Sequence, residues 1–561
     1  MAELLAREGY QLSEHAGRAE VIIVNTCGFI GPARDESFQV LGDLAARKRK
    51  GQLLIAAGCL TQRYGAEVAR RVPGIDGILG TRRWMDIVEV LHKLDRGGGL
   101  QPVYHLPETP AAGVPSETGR RERGVPRLAV QGGSAYLKIA DGCRRPCAFC
   151  AIPLIKGTAV SRPMEAVLTD ARFLVSQGVR EINLIAQDTT DYGYDLGLKD
   201  GLALLLEKMT DPELYGQMRV QSTRDPAHTA FGRMPSAPTD PAPDGRTHGS
   251  APTDDPLWIR VLYAYPGYVT DRLIEIMATR PQIVHYLDMP LQHAHPDTLR
   301  RMRRPANIEW VYSTLEKMRR QIPDLALRTT FIVGYPGETE DEFQTLLDFV
   351  EAMRFDRVGT FQFSFETGTP SEPLGDPIPP EVKEERYNRL MELQHGISLE
   401  INQTFVGKIL PVLIEGQEDA GIDHPAGIGG QRLPEHPVGT GGQRPPEHPA
   451  GTDGRKPAEN PESEGILIGR SYRDAPEIDG VVVVEAASDQ RAASDQRAAV
   501  NLRDGREHRD VRSERDGSEE TLIGPVIYIG KIVPVRITGA MAYDLNGILE
   551  PRGGNHIDRS K

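Results

Sequence analysis

Between Ala135 and Phe365 short apolar runs alternate with amphipathic helical stretches, and no other feature restricts the possible folds so much. AYLKIADGC, REINLIAQD, LWIRVLYAYP, IVHYLDMPLQ, LALRTTFIVGYPG and RVGTFQFSF read as six strands. EAVLTDARFLVSQG, LALLLEKM, DRLIEIMATR, IEWVYSTLEKMRRQ and EDEFQTLLDFVEAMRF read as the helices between them. Runs apolar on both faces are buried best in a parallel sheet with helices packed over it. The expectation is a partial or full parallel (β/α) barrel, in which chemistry gathers on the loops after the strands. The first of those loops, DGCRRPCAFC, holds Cys143, Cys147 and Cys150, three of five cysteines in 561 residues.

The flanking regions read differently. GRAEVIIVNTCGF places a buried strand, Val21 to Asn25, ending at Cys27. QLLIAAGCL places another ending at Cys59, and GIDGILG a short third, Gly74 to Gly80. With ESFQVLGDLAARKRK and YGAEVARRV as helices, residues 1–120 are expected to form an N-terminal α/β parallel-sheet domain. Cys27 and Cys59 both sit at strand ends, where ligands collect in such sheets, although a buried cysteine is also an ordinary core residue. A polar connector, about 101–127, leads to the barrel domain, 130–400. Beyond it VGKILPVLIEG, EGILIGRSYRDAPEIDGVVVVE and IGKIVPVRITGAMAYDLNGILE predict a small antiparallel β-barrel over 403–551.

Three inserts interrupt this plan, at about 222–256, 417–464 and 486–519. They contain SAPTD twice, AASDQR twice, and a near-repeat starting at His424, His436 and His448. A fixed period can mark a solenoid, but these units have almost nothing apolar to bury, so disorder is expected and the histidines read as solvated. The net charge of -13 argues against a nucleic-acid coat. Five cysteines do not make a disulfide scaffold, and no apolar run approaches the roughly 20 residues of a membrane span. MAELLAREGYQLSEHAGRAE reads as an amphipathic helix without signal-peptide layout. A soluble, cytoplasmic, reducing setting is expected.

Three thiols on one loop are one short of a structural zinc site, which His295 could complete. An iron–sulfur cube fits them better: thiolates are its usual ligands, and three leave the fourth iron free for a substrate or cofactor. Phe149 would shield one side of such a cluster.

GCRRPCAFC, after a strand and opening a barrel, resembles the signature of the radical S-adenosylmethionine superfamily. That resemblance implies a 4Fe-4S cluster on Cys143, Cys147 and Cys150 whose open iron binds S-adenosylmethionine, and a deoxyadenosyl radical that abstracts hydrogen from an inert carbon. VNTCGF, AAGCLTQRYG, LIAQDTTDYG, YLDMPLQH, TTFIVGYPGETEDEF and GRSYRDAPEIDG together resemble the methylthiotransferases. IADGCRRPCAFCAIP, AQDTTDYG and RSYRDAPEIDG are closer to the RimO branch, which modifies an aspartate of small-subunit ribosomal protein twelve, than to the branch that modifies an adenosine of transfer RNA.

The family resemblance implies three domains, the last called TRAM, and a second 4Fe-4S cluster on three cysteines of the N-terminal domain. Cys27 and Cys59 match two of them. The family's first strand and first cysteine precede a helix that MAELLAREGY resembles, so that strand and the third ligand are expected to be absent here, restored if an in-frame cysteine codon lies just upstream. The implied mechanism uses S-adenosylmethionine twice, once to methylate sulfur and once to make the radical that attacks the aspartate β-carbon. No acid–base pair is expected, because that C–H bond has no acidity. The competing readings are transfer-RNA methylthiolation and a non-catalytic RNA- or ribosome-binding scaffold with zinc at the cysteines.

Gln187 and Asp188 follow a strand and could face cofactor or substrate, against the plainer reading of a polar turn. Arg328 could reach a cofactor carboxylate or simply start a strand. His293, His295 and the basic run Arg300 to Pro305 read first as solvent-facing. GYPGETEDEF lacks the Gly-Lys-Ser/Thr ending of a phosphate loop, and Thr339 with Glu342 fits a helix capping box. The expected partner is the ribosomal protein, free or in the ribosome. The electron donor is left unnamed, no membrane is expected, and nucleic acid is not expected as substrate.

Overall fold

The computed structural model describes residues 1–13, 15–96, 102–107, 113–116, 126–212, 257–418, 466–485 and 528–550. They fall into two compact units, Met1–Ser398 and Leu399–Lys561.

The first unit opens with a four-stranded parallel sheet in the order β1 (Val21–Thr26), β2 (Leu53–Gly58), β3 (Gly77–Gly80), β4 (Val103–His105). Alternate residues of β2 serve opposite faces, as the two-residue period of a strand requires. Leu54 and Ala56 pack with Phe38, Leu41, Leu60 and Val68 on one side. Ile55 and Ala57 pack with Leu79, Ile87, Val90 and Leu91 on the other. Strand β4 lies within the stretch read as a connector; three residues bounded by Pro102 and Pro107 are too few to show a period.

The second sheet of this unit has seven strands: β5 (Leu128–Gln131), β6 (Ser134–Lys138), β9 (Glu181–Ile185), β10 (Trp258–Val261), β11 (Ile283–Asp288), β12 (Ala326–Val333) and β13 (Arg357–Gln362). The six expected strands, β6 and β9 to β13, run parallel in chain order, giving a partial barrel. An antiparallel strand, β5, is added by the turn at Gly132 and Gly133. Between β6 and β9 a small clip pairs β7 (Ala140–Asp141) with β8 (Val160–Ser161) and so closes the base of the cysteine loop. The helix Glu340–Met353 begins with the capping box of Thr339 and Glu342.

The second unit is a closed barrel in the order β14 (Ile409–Glu418), β15 (Ile466–Ser471), β16 (Val482–Glu485), β18 (Leu545–Leu549), β17 (Ile532–Ala540). Val412, Ile414, Leu467, Val482, Val484, Val535 and Ile537 fill it. The expected antiparallel barrel needs one correction: β16 and β18 are parallel. A closed ring of five strands cannot alternate direction all the way round, so at least one neighbouring pair must agree. Gln417 and Glu418, read as the start of an insert, continue β14. The inserts at 222–256, 419–464 and 486–519, with His424, His436 and His448, lie outside the described residues. Among the described residues no helix is long and apolar enough to cross a membrane.

Candidate functional site

The loop with Cys143, Cys147 and Cys150 leaves the β7–β8 clip through Gly142. Gly142 has φ +84, and a Cβ there would lie 2.6 Å from the Thr158 carbonyl oxygen, so only glycine fits without strain. Its N–H donates to Gln187 Oε1 at 2.8 Å, and the Cys143 N–H donates to the Gly157 oxygen at 3.0 Å. Farther on, the Ala148 N–H donates to the Met302 oxygen at 2.8 Å, and the Ala148 oxygen accepts from the Ser371 N–H at 2.9 Å. The loop is thus fixed by the turn after β9, by Gly157 before β8, by the end of the helix Pro296–Arg301 and by the segment after β13.

Charge surrounds the sulfurs. Arg145 donates through Nε to Asp188 at 2.6 Å, and its guanidinium stacks 3.6 Å from the Tyr268 ring centroid and 4.6 Å from that of Tyr265. Its backbone N–H points at Cys143 Sγ, 3.5 Å away. Arg304 Nη1 lies 3.6 Å from Cys147 Sγ, and the Tyr265 hydroxyl 3.9 Å from the same sulfur. Arg304 Nε is buried with no partner among the described residues. All three thiols are free of disulfides. Burial pushes Cys143 up to about 11 and Cys150 up to about 12. Such thiols keep their protons at neutral pH unless a cation replaces them, as metal binding does. Three soft donors with arginines beside them fit an iron–sulfur cluster.

Cys27 and Cys59 form a second pair. Parallel pairing sets Thr26 opposite Gly58, so the two cysteines leave neighbouring strands at the same sheet edge. A Cβ on Gly28 would lie 2.6 Å from Leu60 Cα, so the two cysteine turns approach as closely as backbone allows. The Cys27 N–H donates to Ser37 Oγ at 3.0 Å. Burial raises the Cys59 thiol, whereas Cys27 is exposed. Arg63 ties this turn to the barrel: it donates to the Gly28 oxygen at 2.9 Å, to Glu366 at 2.8 Å and to the Thr367 oxygen at 2.8 Å.

Lys138, Asp141 and Lys156 adjoin both cysteine sets. Both ammonium groups donate to Asp141 Oδ1, Lys156 at 2.9 Å, and Ser116 Oγ donates to Oδ2 at 2.8 Å. All three charged groups act electrostatically on Cys59, and Asp141 lies two residues before Cys143. Burial pushes Lys138 down to about 8 in spite of the carboxylate; for Lys156 burial acts the same way, but its interactions with Asp141, Cys59 and Lys138 together raise it.

The remaining sequence candidates have definite places. Gln187 and Asp188 hold the cysteine loop through Gly142 and Arg145. Phe149 packs against Met302, Tyr335 and Phe363. Arg328 donates to Asp288 at 3.0 Å, a carboxylate of the chain itself. His293 is buried against Glu338 at 3.1 Å rather than facing solvent, and His295 caps the helix Pro296–Arg301. Arg304, from the basic run read as a solvated helix end, turns to Cys147 instead. Tyr265, Tyr268, Lys138 and Lys156 carry no local signal: their neighbourhood exists only once distant strands are side by side.

Family models match most of the chain outside the inserts. The radical SAM superfamily matches residues 137–350, the uncharacterized protein family UPF0004 residues 1–80, and the TRAM domain residues 457–508. The ribosomal protein uS12 methylthiotransferase RimO of Chloroflexus aurantiacus is 42% identical over 499 residues, covering 86% of this chain and 90% of that protein. The protein of the same name from Roseiflexus castenholzii is 40% identical over 505 residues, 87% of this chain and 88% of that one. That from Symbiobacterium thermophilum is 35% identical over 549 residues, 98% and 87%.

Proposed function

The chain belongs to the ribosomal protein uS12 methylthiotransferase family, and from that membership we propose how its residues divide the work. It is a radical S-adenosylmethionine transferase that methylthiolates uS12. The finer reading is that the target is the β-carbon of an aspartate, on uS12 free or in the ribosome, in a reducing cytoplasm. Cys143, Cys147 and Cys150 would hold the radical cluster, and Cys27 and Cys59 would contribute to a second 4Fe-4S cluster. Held by those three cysteines with S-adenosylmethionine bound, the first cluster would supply a radical able to take hydrogen from a carbon of no acidity. The three domains assigned to this work are 1–120, 130–400 and 403–551.

The chain's own contribution is to hold and insulate. Arg145 and Arg304 offset the negative charge of deprotonated thiols, which buried surroundings otherwise disfavour. Asp188 fixes Arg145, and Gln187 fixes the glycine before Cys143. Tyr265 and Phe149 pack near the loop and limit water. Arg63 keeps the Cys27 turn against the barrel, so that the two cysteine sets keep their separation. No residue needs to act as acid or base on the carbon attacked.

The observation that carries this reading is the loop of three free, buried or half-buried thiols flanked by Arg145 and Arg304. Mass spectrometry of uS12 after reaction with anaerobically reconstituted protein tests it. The methylthio mass should appear on one aspartate with the wild-type chain and vanish with Cys147→Ala. Unmodified uS12 with fully reconstituted wild-type protein would overturn the reading.

A further inference from the structure

We propose that Lys138 and Lys156 receive the side-chain carboxylate of the target aspartate, an inference that rests on the uS12 reading above. A cavity of about 1430 Å³ is lined by Asn25 and Gly58 at the ends of β1 and β2, and by Tyr136, Lys138, Lys156 and Ile185 of the barrel side. It therefore reaches both the strand ends that present Cys27 and Cys59 and the segments flanking the three-cysteine loop. None of the five cysteines lines the cavity itself, but it adjoins the ends of both sets, and on this inference the target carbon lies here, with its carboxylate one bond away.

Lys138 and Lys156 share one oxygen of Asp141, whose other oxygen accepts from Ser116. Among these three side chains alone, two ammonium groups stand against one carboxylate, an excess of one positive charge, with the side chain of Lys138 25% exposed, that of Lys156 14% and that of Asp141 3%. An ammonium has three protons to donate. Within this group Asp141 engages one from each lysine. An arriving carboxylate would complete the balance with charge-assisted hydrogen bonds, and an amide of the same shape would not.

The test compares binding of a uS12 loop peptide with its Asp→Asn counterpart, by fluorescence anisotropy on the anaerobically reconstituted chain. The wild type should prefer the aspartate peptide by about tenfold, the worth of one charge-assisted hydrogen bond. K138Q and K156Q should bind both peptides alike, K138R and K156R should keep the preference, and iron and sulfide content should not change. S-adenosylmethionine also carries a carboxylate, so its affinity is measured in the same variants and should stay within twofold of wild type. Retained preference in K138Q and K156Q overturns the inference, and so does loss of S-adenosylmethionine binding or of iron, which would assign the lysines to the cofactor or to the second cysteine pair. Wild-type protein that methylthiolates uS12 yet binds both peptides equally overturns it alone. Wild-type protein that leaves uS12 unmodified overturns the functional reading and this inference together.

Discussion

The two cysteine sites of the first unit are built on opposite plans. Cys143, Cys147 and Cys150 lie within eight residues on one loop, closed at its base by the β7–β8 clip. Cys27 and Cys59 come from two strand ends 32 residues apart in sequence and meet because β1 and β2 are parallel neighbours. The first site is deep among arginines and aromatic rings; in the second, Cys27 is exposed. On the proposed division of roles, the first site would have to exclude water to generate a radical, whereas the second would have to remain reachable to hand over a group. The difference in build predicts that the sites can be broken separately, and four substitutions probe how far.

The largest effect is expected from Cys147→Ala. It removes a proposed cluster ligand from the insulated loop, so both 5′-deoxyadenosine release and uS12 methylthiolation should fall to background in anaerobic assays. Cys59→Ala should split the two: methylthiolation lost, 5′-deoxyadenosine release retained within a fewfold of wild type. Loss of both in that variant would show that the sites are not separable.

Arg63→Gln acts on the joint between them. It leaves Glu366 buried without its cation, since the two side chains are only 7% and 3% exposed. Breaking such a pair costs about 3–5 kcal/mol. The first unit should therefore melt at a clearly lower temperature, and the added Glu366→Gln change should recover part of the loss. A melting temperature unchanged by Arg63→Gln would mean that the joint contributes little. The smallest effect is expected from Gln187→Ala, which removes one hydrogen bond to Gly142. About 1 kcal/mol is at stake, so 5′-deoxyadenosine release should slow by about fivefold at most. A hundredfold loss would instead give Gln187 a direct role at the cofactor.

The same contrast explains what could be read from the sequence. The six parallel strands were legible because each is an apolar run long enough to declare itself between amphipathic helices. The cysteine loop was legible as a compact spacing after a strand. Strand β4 was not, being three residues inside a polar stretch, nor was β5, which is held by a hairpin to β6 and has a mostly exposed surface. The parallel pair β16–β18 follows from ring closure, which no local pattern records. Arg304 sits in a basic run that looks solvated, and its approach to Cys147 depends on strands that are far apart in sequence. Lys138 and Lys156 are 18 residues apart and converge only because the cysteine loop folds back on its own base.

The most direct test of the whole account is anaerobic iron and sulfide analysis of the wild-type chain beside the variant with Cys143, Cys147 and Cys150 all changed to Ala. Iron and acid-labile sulfide in matching amounts in the wild type, with a large share lost in the triple variant, is the predicted result. Zinc in place of iron, or iron and sulfide unchanged by the triple substitution, would contradict it.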